Sequence, residues 1–207
     1  MALDETTRDA LLDQRRAVRD AAVAMAQHGL ATGSSGNISV RAGSGLLITA
    51  SGIPYDWIGI EHIIETDMEG HRLSGDGDPS SEWRMHAAIY ARRLDVAAIV
   101  HTHSLHATAA AIALRELPIP HDEGRLFYGD AVPVSEHHPP GSWDLARSVA
   151  DALGPGKLVL ISHHGAVGVG ATLDEAFTAA VKLEEIATLC LLSHQLRTFV
   201  EGRSDDE

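Results

Sequence analysis

The sequence predicts an α/β layer fold in one domain, and three observations lead there. Apolar residues recur at helical spacing in some segments and stand as short runs in others, so helices and strands are both present. The two patterns intermingle without strict strand–helix–strand alternation, which favours mixed layers over a simple doubly wound sheet and leaves strand direction open. No internal repeat or low-complexity linker divides the 207 residues, a length that suits one well-developed core.

Residues 7–28 carry Leu11, Val18, Ala22 and Met25 at helical spacing, with Gly29 as a left-handed stop. Asn37–Arg41, Leu46–Thr49 and Ile63–Asp67 read as strands between Gly- and Ser-rich turns. Ser80 or Ser81 caps a helix from about Glu82 to Arg93. Ala97–His103 reads as a strand and the Ala-rich run His106–Leu114 as a helix. A short strand at Ala131–Val134 precedes a helix from about Trp143 to Leu153. Lys157–Ile161 and Ala166–Val169 are strands on either side of a tight break at Gly165. Thr172-Leu173-Asp174-Glu175 has the form of a capping box, opening a long helix to about Leu196. The polar, acidic end Glu201–Glu207 reads as a frayed tail.

Composition bounds the function. Hydrophobic residues make up 44% and charged residues 22%, as in an ordinary globular chain. Aromatics are scarce and Ala and Gly abundant, which points to close backbone packing rather than a bulky core. Apolar runs such as Ala107–Leu114 are too short for a membrane span, and the acidic start Met1–Glu5 lacks the pattern of a secretory leader. A formal charge of −13 repels phosphate backbones, so nucleic acid is not an expected partner. The single cysteine, Cys190, lies in an apolar run and reads as core, consistent with a reducing cytoplasm.

The chemistry concentrates in a few places. In Val100-His101-Thr102-His103, residues two apart on a strand face the same side, so both imidazoles can reach one ion. The alternative is two polar residues leaving a strand. Ser162-His163-His164-Gly165 follows another apolar strand and displays histidine at its end, though one of that pair can simply be packed. Three histidines at two strand ends form a ligand set for zinc with an open position. In Pro79-Ser80-Ser81-Glu82, hydroxyls and free N–H groups at a helix start form a phosphate cradle, with Glu82 in the same turn. The bland reading of Glu82 is a first-turn charge favoured by the helix dipole. His86, one turn on, reads as structural, as do His106 and His121. Gly33-Ser34-Ser35-Gly36-Asn37-Ile38-Ser39 and Thr49-Ala50-Ser51-Gly52 are either phosphate loops or hairpin turns; neither is a Walker loop or a dinucleotide turn.

Taken in order, Gly36-Asn37-Ile38-Ser39, Ser51-Gly52-Ile53-Pro54, Pro79-Ser80-Ser81-Glu82, His101-Thr102-His103 and His163-His164-Gly165 resemble the class II aldolase/adducin family, nearest its L-fuculose-1-phosphate aldolase branch. The resemblance implies a three-layer α/β/α fold around a mainly antiparallel sheet. It implies His101, His103 and His164 as zinc ligands, a donor set that also accepts Co2+, Mn2+ or Fe2+. Glu82 becomes the catalytic acid/base, binding the metal itself when no substrate is present. Ser34, Asn37, Ser51, Gly52, Ser80 and Ser81 match phosphate-contacting positions, and His163 is not a ligand. Implied too are a small phosphorylated sugar as substrate and a homotetramer with sites at subunit interfaces.

Glu82 leans toward aldolase, since L-ribulose-5-phosphate 4-epimerases of the family carry Asp there. Methylthioribulose-phosphate dehydratases share the Glu, and adducin-type members, non-catalytic interaction modules, lose the metal ligands. Two tyrosines of the fuculose-phosphate branch have no counterpart: about Asp122 stands for one, and no tyrosine follows Tyr128. Ketose 1-phosphates with a less polar tail, 5-deoxy- or 5-methylthio-ribulose 1-phosphate, are thus expected substrates beside L-fuculose 1-phosphate.

Overall fold

The computed structural model describes residues 5–201; the expected tail beyond Glu201 lies outside them. The first helix, α1 (Glu5–Gln27), buries Val18, Ala22 and Met25 on one stripe. It ends in a Schellman arrangement, with Leu30 N–H on the Met25 carbonyl and Gly29 N–H on that of Ala26, both at 3.0 Å. The Leu30 carbonyl then accepts from His103 N–H at 3.1 Å, so the end of the first helix is tied to the histidine strand.

The strands are β1 (Asn37–Ala42), β2 (Gly45–Thr49), β3 (Ile63–Thr66), β4 (Arg72–Ser74), β5 (Ala98–Thr102), β6 (Glu116–Pro118), β7 (Ala131–Pro133), β8 (Leu158–Ile161) and β9 (Gly165–Gly170). Among the described residues the main sheet has seven of them, in the order β4-β3-β2-β1-β5-β9-β8. Every pairing in it is antiparallel. That resolves the strand direction that periodicity left open. A separate antiparallel pair joins β6 and β7.

The remaining helices are α2 (Trp83–Arg92), α3 (Leu105–Ala113), α4 (Asp122–Tyr128), α5 (Trp143–Leu153) and α6 (Leu173–Glu201). Alternation along the strands divides them into two layers. Leu46, Ile48, Ile99, Val159, Ile161, Val167 and Val169 pack with the apolar faces of α2 and α5. On the other side Leu47, Ala98 and Val100 pack with α1, and Leu158, Leu160 and Ala166 with α3 and α6. The result is the three-layer α/β/α arrangement with a central antiparallel sheet. The scarcity of aromatics is explained here: Ala176, Ala179 and Ala180 of α6 lie against β9 at the bare backbone of Gly168, an approach no larger residue allows.

Several local expectations need correction. No serine caps α2; its N-cap is Glu82, and the Ser80 hydroxyl accepts the Glu82 N–H at 3.3 Å instead. In the Thr172 box, Thr172 Oγ1 accepts from Glu175 N–H at 3.2 Å, but the Glu175 carboxylate returns to Ala171 N–H. Strands β4 and β6, helix α4 and two 3-10 turns at Tyr55–Trp57 and Ile60–His62 are additions to the sequence reading. Each is too short to show a period. Cys190 is partly buried against the cluster beneath α3, in keeping with a packing role. No helix among the described residues is long and apolar enough to cross a membrane.

Candidate metal centre and active site

Strand β5 brings His101 and His103 to the end of the sheet, and its neighbour β9 places His164 just ahead of Gly165 beside them. Glu82 arrives from the start of α2. The three imidazole rings stand edge to face, with centroids 4.8, 4.9 and 5.1 Å apart. His101 Nε2 lies 3.0 Å from Glu82 Oε2 and 3.0 Å from His103 Nε2, and His164 Nε2 lies 3.4 Å from Glu82 Oε1. One donor atom from each of the four falls within 4.8 Å of the others.

These distances fit a cation. Donors arranged tetrahedrally around zinc at its usual bond length stand about 3.3 Å apart. The tautomers point the same way. His101 Nδ1 lies 3.0 Å from the Ala166 carbonyl, which has no proton to give, so Nδ1–H is the donor. The neutral ring then turns a lone pair at Nε2 toward a carboxylate oxygen and another imidazole nitrogen. Three acceptors so close repel one another unless a positive charge sits among them, a proton on His101 Nε2 in the metal-free protein or a metal ion in its place. Glu82 Oε1 is also buried without a hydrogen bond, a costly state for a carboxylate oxygen and a natural one for a metal ligand.

The electrostatics agree. Burial opposes charge on Glu82, yet attraction to His101, with further help from His164 and Asn37, holds its carboxyl far below the usual range. It is an anion at any working pH. Burial, together with repulsion from His101 and His164, lowers His103 to about 4, so this ring is neutral and ready to ligate.

The Ser- and Gly-rich segments converge beside this cluster through main-chain ties. Ser80 N–H donates to the Thr49 carbonyl at 3.0 Å and Ser51 N–H to that of Asp78 at 2.9 Å, locking the Ser80–Ser81 turn to the Ser51–Gly52 loop. Tyr55 joins this loop to the next: its N–H reaches the Gly33 carbonyl at 3.0 Å and its hydroxyl the Gly36 carbonyl at 2.6 Å. Ser34, Ser51, Gly52 and Ser81 are exposed, whereas Ser80 and Asn37 are buried. The Asn37 amide is engaged at both ends, donating to Glu82 Oε2 at 3.1 Å and meeting His86 Nε2 at 2.6 Å.

A family model described as the Class II Aldolase and Adducin N-terminal domain matches residues 16–191. The chain belongs to the class II aldolase/adducin family. It is 37% identical to an L-fuculose phosphate aldolase of Escherichia coli over 192 residues, covering 93% of this chain and 89% of that one. It is 39% identical to a 5-methylthioribulose-1-phosphate/5-deoxyribulose-1-phosphate aldolase of Rhodospirillum rubrum, over 84% of this chain and 78% of that one. A solved L-fuculose 1-phosphate aldolase structure superposes with a TM-score of 0.84 at 31% identity, covering 89% and 87% of the two chains.

Within this class II aldolase frame the turn that delivers His164 differs from its sequence reading. The left-handed residue is His163, at φ +57°, not Gly165. Gly165 is demanded by proximity: a Cβ there would stand 2.3 Å from the Thr102 carbonyl and 3.1–3.2 Å from the His103 and His101 rings. Gly165→Ala is therefore expected to destabilise the fold by about 3 kcal/mol through overpacking, read as a lower midpoint in urea unfolding. Unchanged stability would show that β5 and β9 separate freely. The residues missed as functional partners are Tyr55, Ser39 and Tyr90. A signal existed for the last: Glu82, His86 and Tyr90 recur every four residues, on one face of a helix.

Proposed function

We propose that this chain is a zinc-dependent class II aldolase that reversibly cleaves a ketose 1-phosphate to dihydroxyacetone phosphate and a short aldehyde. The observation that carries the reading is the convergence of three imidazoles and Glu82 beside three tethered Ser/Gly loops. The names of its relatives supply the substrate candidates, L-fuculose 1-phosphate and 5-deoxy- or 5-methylthio-ribulose 1-phosphate.

His101, His103 and His164 would hold the metal, which supplies Lewis acidity toward the ketose oxygens when bound. Zinc is the preferred ion for a three-histidine set with one open position. The hydroxyls of Ser34, Ser51, Ser80 and Ser81, the Gly52 N–H and the second N–H of the Asn37 side-chain amide would anchor the phosphate and so fix the reacting carbons near Glu82. In cleavage the hydroxyl beside the breaking carbon–carbon bond gives up its proton as it becomes the aldehyde, and Glu82 delivers a proton to the carbon left behind; in condensation both transfers run in reverse. Its depressed proton affinity and the adjacent metal site suit it to acting as the base only beside a polarised substrate.

The reading takes residues 1–207 as one cytoplasmic domain assembled as a homotetramer. The exposed apolar side chains Leu126, Phe127, Leu192 and Leu196 support association, since such surface is seldom left in water. A dehydratase or 4-epimerase of the same family differs in product, and an adducin-like module has no turnover. The deciding experiment is a screen of ketose 1-phosphates with a coupled assay for dihydroxyacetone phosphate, with and without chelator. Chelator-sensitive release of that product is expected; substrate turnover without it would sink the aldolase assignment.

A further inference from the structure

From Glu82 a buried chain of polar groups runs through Asn37 to His86, Ser39 and Tyr90, three side chains that the reaction as described does not use. Tyr90 Oη lies 2.8 Å from Ser39 Oγ, and Ser39 Oγ lies 2.6 Å from His86 Nδ1. His86 Nε2 lies 2.6 Å from Asn37 Oδ1, and Asn37 Nδ2 lies 3.1 Å from Glu82 Oε2. Tyr90, Ser39 and His86 are fully buried and Asn37 is 3% exposed. Their placement follows from two periods. Asn37 and Ser39 are two apart on β1 and share a face, while Glu82, His86 and Tyr90 follow one another by single turns at the start of and along α2.

The direction of every bond in this chain is dictated from the carboxylate end. An ionised carboxylate only accepts, so Asn37 must present its NH2 group to Glu82 and its carbonyl to His86. That carbonyl accepts, so His86 must carry its proton on Nε2. The Nδ1 lone pair then takes the Ser39 hydroxyl proton, and the Tyr90 phenol donates to Ser39 Oγ. Burial, with repulsion from His101, pushes His86 down to about 3, so it stays neutral and holds one tautomer. Burial raises Tyr90, which stays a phenol, and Arg41 lies 4.6 Å from its ring centroid with a hydrogen bond to its carbonyl. All the dipoles thus point one way and end on Glu82, an alignment in which each bond polarises the next.

The geometry points to His86, aligned by Ser39 and Tyr90, as a positioning residue that fixes the Asn37 amide and through it the orientation of Glu82. Were His86 to carry its proton on Nδ1 instead, the Asn37 amide would be free to turn, and its carbonyl would face the carboxylate and repel it. The inference rests on Glu82 being the acid/base, but one of its readouts does not need that reaction.

The test compares His86→Leu, which fills the space without a donor, with His86→Gln, whose amide places an N–H near the former Nε2. Ser39→Ala breaks the chain with a minimal change of volume and carries the test if His86→Leu does not fold. In His86→Leu we expect kcat to fall about 10- to 100-fold, the range for residues that orient a metal-site group through a hydrogen bond. KM is expected to stay nearly constant, because the phosphate-anchoring loops are untouched. His86→Gln is expected to recover most of kcat, with Ser39→Ala in between.

The visible spectrum of the Co2+-loaded protein, recorded without substrate, reports Glu82 at the metal directly. It is expected to shift in His86→Leu and to return in His86→Gln. Wild-type kcat and cobalt spectrum in both His86→Leu and Ser39→Ala would overturn the assignment. So would equal losses in the Leu and Gln variants with KM rising in step, which marks a packing role alone. Absence of dihydroxyacetone phosphate from the wild-type protein would instead sink the aldolase reading, while the cobalt spectra would still decide the relay.

Discussion

Glu82→Gln is expected to keep its metal and lose about a hundredfold or more in turnover, the usual contribution of a positioned acid–base group. The amide has the size of the carboxylate and leaves the three imidazoles in place, so metal content measured after gel filtration should match that of the wild type. What it cannot do is carry the proton. Glu82 is buried at 7% exposure, and the contacts that hold it are a donated N–H from Asn37 and the Nε2 edge of His101. A glutamine there sets an NH2 or a carbonyl against a site built for an anion. Normal turnover in that variant would remove Glu82 from the mechanism.

His103→Ala is expected to release the metal outright. The ring is neutral in the working range and offers Nε2 only 3.0 Å from that of His101, so its loss opens one side of the cluster to water and leaves two imidazoles and a carboxylate. Metal content after dialysis should fall to background; undiminished content would refute the ligand set. The same cluster predicts a pH dependence. Burial disfavours charge on His101, but Glu82 and the Ala166 carbonyl outweigh it and raise its proton affinity above the ordinary histidine value. In the metal-free protein a proton therefore competes for the site, and below this raised pKa each metal bound must displace it. Affinity is expected to strengthen as pH rises through the His101 pKa and to level off above it, as a titration of apparent Kd against pH would show.

The candidate metal cluster was largely legible because its signals are local. Two histidines spaced by one residue on an apolar run need only extended chain to share a face; β5 carries His101 and leads directly into His103, one residue past its end. His164 was readable as a histidine after a second buried strand, though nothing local separated it from His163. The structure separates them through His163, which takes the left-handed turn and swings outward. The Ser- and Gly-rich loops were readable as composition but ambiguous as function. Their convergence depends on Tyr55 and on main-chain bonds between Thr49, Ser51, Asp78 and Ser80, none of which leaves a trace in spacing.

Apolar periodicity and residue type by themselves determined the helices α1, α2, α3, α5 and α6, the longer strands, and the His101–His103 pair as candidate ligands, since each is a property of neighbours along the chain. Tertiary structure alone decided the antiparallel order of the sheet, the need for a bare backbone at Gly165, and the chain of donors from Tyr90 to Glu82. Periodicity states which face of an element must leave water. It does not state what covers that face, and hydrogen-bond polarity across β1 and α2 exists only once the two have packed together.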